Sequence, residues 1–193
     1  MIHVYCVTPP KGQSSMPTAC IDVVAQRHFR TNSTVAVFST DTNDYKNPSL
    51  FSQTLTAAER NLANRLSSSK KFSLVIQRFD RNSAYCSRGL SVQKPVNYFI
   101  FVGNSDDIVN FTKTFCFERV TNELSHFVIY IKLENMETKY TVENIIRTFW
   151  RHHHQNIVVL VETQQTVKAY TWFPLYESSE VRIVDECDGL AFR

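Results

Sequence analysis

Apolar residues occur along this 193-residue chain in two patterns, as short continuous runs and as single residues three or four positions apart. Continuous runs are typical of strands buried on both faces, and the wider spacing is typical of helices with one buried side. The runs predict six strands, at residues 35–38, 72–79, 96–102, 127–133, 156–161 and 167–173. The spaced pattern predicts four helices, at residues 18–30, 49–66, 106–120 and 141–153.

Strands and helices alternate along most of the chain, which predicts an α/β fold. We expect three layers, with a mostly parallel sheet, helices on both of its faces and a C-terminal antiparallel hairpin that turns at Gln164-Gln165. The predicted organisation is an irregular lead-in at residues 1–17, a single α/β domain at residues 18–174, and a polar C-terminal loop or tail at residues 175–193.

Composition and charge restrict the classes of protein to which the chain could belong. Hydrophobic residues make up 43% and charged residues 20%, which suits a globular core rather than a disordered chain. The net charge is +3 and Lys70-Lys71 is the only adjacent basic pair, so we expect no nucleic-acid partner. No apolar run approaches the roughly 18–20 residues that cross a bilayer, and the segment before Pro9 is too short for a signal peptide.

The five cysteines include no C-x-x-C pair of the kind that binds metal or carries redox chemistry. Cys20 and Cys116 lie in apolar helical segments, so we expect both to be small buried residues. Cys86 and Cys187 lie in polar, loop-like segments and are the disulfide candidates, with the connectivity left open.

N-linked glycosylation requires an asparagine that is followed two positions later by serine or threonine. The chain contains two such sequons, Asn32-Ser33-Thr34 and Asn110-Phe111-Thr112. Asn32 and Asn110 are therefore candidate glycosylation sites if the chain is secreted.

Motifs of catalysis and phosphate binding do not occur. Glycine-rich dinucleotide and phosphate loops, G-x-S-x-G and H-E-x-x-H are all absent from the sequence. Gly103 lies between a predicted strand and a predicted helix, but Asp106 and Asp107 would repel a phosphate there. We therefore predict no catalytic residue and no cofactor, and we interpret the chain as a non-enzyme.

Three consecutive histidines, His152 to His154, lie at the C-terminus of the last predicted helix. Neighbouring helical residues are about 100° apart, so the three rings cannot face one ion, and we predict no metal site. Their predicted role is to satisfy the free carbonyls at the helix end, with His153 half-buried on the apolar stripe. We interpret Trp150 and Trp172 as packing residues, and an aromatic pair that binds a ligand is the alternative.

Residues 141–174 carry the most informative pattern in the chain. A helix that ends in an aromatic-Trp-basic cluster leads into an apolar strand, and a second strand ends in a Tyr-Thr-aromatic-aromatic-Pro sequence. This arrangement resembles the amino-terminal region of the divergent insect ionotropic receptors, which are chemosensory relatives of ionotropic glutamate receptors. Cys187 matches loosely a cysteine that follows in that family. The residues that match the family pattern are Phe149, Trp150, Arg151, Asn156, Tyr170, Thr171, Phe173 and Pro174.

The resemblance implies the extracellular amino-terminal domain of a ligand-gated ion channel subunit, with an assembly or modulatory role and no channel of its own. Other receptor subunits or a co-receptor are the implied partners. In that family the ligand-binding lobes, membrane helices and pore loop follow this region, so we expect a fragment, a truncated gene model or a degenerate copy without the agonist-contacting residues. The alternatives are a free-standing soluble α/β binding module and, less favoured, a small enzyme without a recognisable motif.

Overall fold

The computed structural model describes residues 16–40, 64, 72–78, 95–103, 105–114, 121–122, 124–133, 138–163, 166–172 and 181–187. In this part of the chain the helices are α1 (Met16–His28), α2 (Ser105–Thr114) and α3 (Thr138–Trp150). The strands are β1 (Ser33–Ser39), β2 (Phe72–Arg78), β3 (Asn97–Val102), β4 (His126–Lys132), β5 (Asn156–Glu162), β6 (Val167–Trp172) and β7 (Val181–Cys187).

The strands form one sheet in the order β2-β1-β3-β4-β5-β6-β7. Each neighbouring pair from β2 to β5 is parallel, whereas β5 with β6 and β6 with β7 are antiparallel. The hairpin between β5 and β6 is closed by a hydrogen bond of 2.9 Å from the Thr163 amide to the Thr166 carbonyl. The predicted α/β class, with a mostly parallel sheet and an antiparallel C-terminal hairpin, is confirmed.

Helices cover both faces of the sheet because the central strands are apolar on both sides. Successive residues of a strand point to opposite faces, so Phe127 and Ile129 of β4 pack toward α2 and α3 while Val128 packs toward α1. All six residues of β3 are buried. Two hydrophobic cores result, one on each side of the sheet, as the continuous apolar runs in the sequence predict.

Helix α1 precedes β1 in the chain but packs across β4, β5 and β6. Its buried side consists of small and branched residues that meet the far half of the sheet, Cys20, Ile21, Val24 and Ala25. None of the described helices has both the length and the apolarity to cross a membrane.

Two expectations about the C-terminal half need correction. Residues 181–187 form β7 within the sheet, where the sequence predicted a polar loop or tail. Pairing of the backbone with β6 and packing of Val181 against the core hold this strand. Helix α3 begins at Thr138, three residues before Thr141, and ends at Trp150. The predicted helix over residues 49–66 lies outside the described residues except for Asn64, which is helical.

Candidate functional site

The α3 exit, which we define as residues 149–155, turns the end of α3 into β5. The His154 amide donates to the Phe149 carbonyl at 3.2 Å and the His153 amide donates to the Trp150 carbonyl at 2.9 Å. His153 adopts a left-handed backbone conformation with φ 63°. This is the pattern of a Schellman cap, with histidine at the position that glycine usually takes. The cap reverses the chain, so His153 faces solvent and His154 enters the core.

His154 is the buried histidine of the three, with 3% of its surface exposed. Its Nε2 lies 3.0 Å from the Thr121 hydroxyl, and its ring centroid lies 4.8 Å from that of Phe127. Burial lowers the pKa of His154 to about 4, and the nearby His152 and His153 lower it further. The ring is therefore neutral near pH 7, and it does not act as a cation at the helix end.

The two tryptophans of the chain meet next to the α3 exit. Trp150 and Trp172 pack edge to face with centroids 5.0 Å apart, and the Arg147 guanidinium lies 5.8 Å from the Trp172 ring centroid. A cavity of about 20 Å³ lies beside them and is also lined by Ile146, His154, Gln155 and Ile157. This volume holds one water molecule, whereas ligand pockets measure roughly 300–1,000 Å³. The contact therefore fits the packing interpretation of the tryptophans.

The α1 exit, which we define as residues 28–32, joins α1 to β1 through a polar network. Asn97, the first residue of β3, is fully buried and accepts a hydrogen bond from the Arg30 amide at 3.1 Å. Its side-chain amide donates to the Arg30 carbonyl at 2.9 Å and to the Ser33 hydroxyl at 2.6 Å. One asparagine thus satisfies both backbone groups of Arg30 where regular hydrogen bonding has ended.

Two histidines lie against each other at the α1 exit. His28 Nε2 donates to the Asn156 carbonyl at 3.1 Å, and the His28 ring packs edge-on to His126 with centroids 5.1 Å apart. The Arg30 Nε donates to His126 Nε2 at 3.3 Å, so that nitrogen is unprotonated. Burial lowers the pKa of His28 to about 4, and burial together with the Arg30 charge lowers the pKa of His126.

The opposite edge of the sheet contains the crevice that a doubly wound strand order creates. The chain runs from β1 to β2 on one side and returns to β3 on the other, so the crevice lies between the carboxyl ends of β1 and β3. Thr40 is buried there, and its hydroxyl accepts a hydrogen bond from the Gly103 amide at 3.3 Å. Asp107 of α2, four residues after Gly103 in the sequence, is also buried. In open α/β sheets, ligands bind at this topological position.

Polar side chains also meet where β4 and β5 end. The Tyr130 hydroxyl donates to the Glu162 carboxylate, and the Lys132 ammonium lies 3.8 Å from the same carboxylate. Burial, the Glu162 hydrogen bond and the Glu162 charge all raise the pKa of Tyr130. Tyr130 therefore stays protonated and acts as a donor, which suits a structural contact. Within the described residues, no group of three His, Cys, Asp or Glu side chains could hold a metal ion.

Comparison with known families gives one match, which covers most of the chain. A family model described as "Putative ionotropic receptor, ligand binding domain" matches residues 15–184. The chain belongs to this ionotropic receptor family. No curated protein and no solved structure matches the chain.

The family description differs from the sequence-based expectation about where the ligand-binding region of this receptor domain lies. The sequence resemblance places residues 141–174 ahead of the ligand-binding lobes of an ionotropic receptor. The matching family model instead names its own region, residues 15–184, as a ligand binding domain. The relationship to ionotropic receptors is confirmed by the match, whereas the insect and chemosensory assignments remain predictions.

The receptor-like motif residues fall into the core and the two exits rather than into one pocket. Phe149 is fully buried and packs on Phe127 with centroids 5.1 Å apart, and Tyr170 is buried in the same core. Arg151 is exposed, and Asn156 begins β5, where its carbonyl accepts from His28. The Thr171 hydroxyl donates to the Ile157 carbonyl at 2.7 Å. Phe173 and Pro174 lie outside the described residues.

The cysteine expectations require one correction. Cys20 is buried as predicted, but it is disulfide-bonded rather than a free thiol. Its apolar helical surroundings gave no sign of this, because a disulfide and a buried thiol occupy similar apolar sites. Cys86 lies outside the described residues, as does the side chain of Cys187 at the end of β7. The predicted involvement of Cys86 and Cys187 in a disulfide stays a prediction.

The histidine expectations are also revised. His153 was predicted to be half-buried, but it is exposed, and His154 takes the buried position. Helical spacing fails after Trp150 because the Schellman cap ends the helical periodicity. The His28–His126 pair and the Asn97 network were not anticipated, because His28 is 98 residues from His126 and Asn97 is 64 and 67 residues from Ser33 and Arg30. The polar residues Asn97, His126 and Asn156, each at the start of an apolar run, are the signal that could have indicated a shared edge.

Proposed function

We propose that this chain is the extracellular amino-terminal region of a chemosensory ligand-gated ion channel subunit, in which it supports assembly or modulation through contacts with other subunits. The proposal rests on membership of the ionotropic receptor family. The Cys20 disulfide supports an extracellular location, because structural disulfides persist mainly in oxidising compartments. A non-enzymatic role forms part of the proposal.

The observation that carries the assembly role is the contrast between interior and surface. The cavity beside the tryptophans holds no more than a water molecule, so it offers no enclosed ligand site in that part of the fold. The outer face of α3 and the first residue after it, in contrast, present a line of exposed residues four, three and four positions apart, Tyr140, Asn144, Arg147 and Arg151. Tyr140 is 74% exposed. Tyrosine and arginine are enriched among residues that dominate binding at protein interfaces.

Co-expression of the secreted chain with full-length ionotropic receptor subunits tests this proposal. We expect the chain to co-purify with at least one subunit, and the double variant Tyr140→Ala/Arg151→Ala to weaken the association at least about tenfold. Val75→Ala is the matched control, because Val75 is also an exposed apolar residue, at 39%, but lies on β2, at the far end of the sheet from the strands that α3 contacts. Equal loss in both variants, or no association with any subunit, would contradict the proposal.

A second candidate function is that of a small-molecule binding module. The strand order favours it, because the crevice between β1 and β3 is the usual ligand position in such sheets. Thermal unfolding in the presence of free amino acids, amines and carboxylic acids tests it. A ligand that raises the Tm of the wild-type chain but not that of Thr40→Val would support ligand binding over assembly.

A further inference from the structure

We infer that Asn32 carries an N-linked glycan on the folded protein and that the second sequon, at Asn110, does not. The inference rests on the proposed extracellular function, since glycan transfer occurs only in the secretory pathway. Both sequons fulfil the sequence rule equally. What distinguishes them is the position of each tripeptide in the fold.

The Asn32 sequon lies on an exposed turn. Asn32 is exposed between α1 and β1 and has a left-handed backbone with φ 56°, a conformation that asparagine tolerates better than most residues. Within the described part of the chain, no hydrogen bond holds its side-chain amide. Thr34, which supplies the required hydroxyl, is only half-buried at the start of β1. The acceptor and its hydroxyl partner therefore remain accessible after the sheet has formed.

The Asn110 sequon is built into α2. The residue after Asn110, Phe111, is fully buried and packs on Phe38 with ring centroids 5.7 Å apart. Thr112 has 4% of its surface exposed, and its hydroxyl donates to the Val109 carbonyl at 3.0 Å. Folding of α2 therefore removes the hydroxyl of this sequon from solvent. Glycan transfer here would have to precede folding.

A glycan at Asn32 would cover one particular edge of the molecule. Arg30, His126 and the exposed Leu124 lie at the same edge, where β1, β3 and β4 begin. Hydrated sugars at this position shield the exposed Leu124 and leave other faces for contacts with receptor subunits. The glycan thus restricts where a partner can bind.

Expression of the chain behind a heterologous secretion leader, in eukaryotic cells that add N-glycans, tests the site directly. We expect treatment with peptide N-glycosidase to increase the electrophoretic mobility of the secreted protein by one step, which corresponds to the loss of one glycan. Mass spectrometry should show the accompanying Asn-to-Asp conversion at Asn32. Asn32→Asp and Thr34→Val should each abolish the step, whereas Thr34→Ser and Asn110→Asp should retain it.

The two variants that remove the Asn32 sequon are chosen so that misfolding does not explain a missing glycan. Asn32→Asp retains a side chain that tolerates the left-handed backbone, and Thr34→Val retains the β-branched shape that suits a strand. Secreted, cooperatively unfolding protein with unmodified Asn32 would overturn the inference. So would a glycan on Asn110 alone. Because the leader is supplied, either result would leave the proposed receptor function standing, and the co-purification experiment tests that function separately.

Discussion

The α1 exit and the α3 exit solve the same structural problem with different interactions. In each, a 13-residue helix ends and the chain enters a parallel strand at the same edge of the sheet. Each contains a non-glycine residue with positive φ, Asn32 in the segment after α1 and His153 in the segment after α3. The α1 exit is held by hydrogen bonds to Asn97, whereas the α3 exit is held by a backbone cap and buried rings.

The difference shows how sequence context selects the means of closing a loop. Asn97 stands at the start of a buried strand, so a side-chain amide reaches two backbone groups that have no ladder partner. At the α3 exit the helix carbonyls accept hydrogen bonds from backbone amides of the exit itself, and the side chains of Phe149 and His154 fill the core. Substitutions at the α1 exit should therefore destabilise the fold through lost hydrogen bonds. Substitutions at the α3 exit should destabilise it through lost packing volume in the core.

The largest expected effect comes from removing a buried aromatic ring at the α3 exit. Phe149→Ala removes a fully buried ring that packs on Phe127, and we expect a loss of about 4 kcal/mol in the free energy of unfolding. Urea unfolding followed by circular dichroism measures it. Thr148→Ala, which changes the adjacent and partly exposed residue, should cost well under about 1 kcal/mol. Similar costs for the two variants would contradict the assignment of Phe149 to the core.

Removing the Asn97 hydrogen bonds at the α1 exit should lower the free energy of unfolding by somewhat less. Asn97→Ala leaves the amide and carbonyl of Arg30 without partners, and we expect a loss of about 2–3 kcal/mol in the same assay. Ser33→Ala, which removes one hydroxyl from the network, should cost about 1 kcal/mol. The double variant should cost less than the sum of the two, because both residues act in one network. Strict additivity would show that the network does not hold the exit together.

Acidification should weaken both exits. The pKa values of His28 and His154 are lowered to about 4, so the unfolded chain binds their protons near pH 6.5 while the folded chain does not. Stability from each ring is complete above pH 6.5 and is lost as the pH falls toward 4. By pH 5 each ring should account for about 2 kcal/mol. Urea unfolding at pH 7.5 and pH 5 measures the difference.

Variants separate the two histidines in that pH dependence. His28→Gln and His154→Gln should each flatten the stability profile between pH 6.5 and pH 4, although either change has a cost of its own at neutral pH. His153→Asn alters an exposed residue with a left-handed backbone and removes only the smallest of the three influences on the His154 pKa, so it should change the slope much less than either glutamine variant. A slope that neither glutamine variant alters would assign the pH dependence to other groups.

The smallest expected effect comes from relieving the left-handed backbone conformation at His153 and Asn32. His153→Gly should raise the free energy of unfolding by about 1 kcal/mol, because glycine has no steric penalty at the left-handed cap position. Asn32→Gly should gain only a few tenths of a kcal/mol, since asparagine already tolerates this conformation. Protein made in cells that add no N-glycans is the proper material for the comparison, because enzymatic removal of a glycan would convert Asn32 to Asp. A larger gain at Asn32 would reverse the ranking of strain between the exits.

Much of the fold could be predicted from local pattern, because the signals that specify it are local. The continuous apolar runs that became β3, β4 and β5 are buried on both faces, and the spacing of Val142, Ile145, Ile146 and Phe149 matches the buried side of α3. Strand β7 was missed because it places few apolar side chains in the core, with Arg182, Ile183 and Val184 all exposed. Edge strands owe their place to backbone pairing, which leaves little trace in hydrophobicity.

The candidate sites were less predictable than the fold for a related reason. Asn97 and His126 are polar residues at strand starts, and their importance depends on which strands lie side by side. Sheet order is set by long-range packing, so the meeting of His28 with Asn156 could not follow from spacing along the chain. The burial of His154 in place of His153 depends on a cap that reverses the chain within two residues.

The packing of α1 also bears on how the chain acquires its structure during synthesis. This helix is made before each of the seven described strands, yet the strands it packs across are β4, β5 and β6. The His28–Asn156 contact spans 128 residues, which take roughly 6–26 s to synthesise at about 5–20 residues per second. During that interval the apolar side of α1 lacks its partner strands and is a natural target for chaperones. Helix α1, the earliest of the described helices in the chain, is thus among the last to be packed.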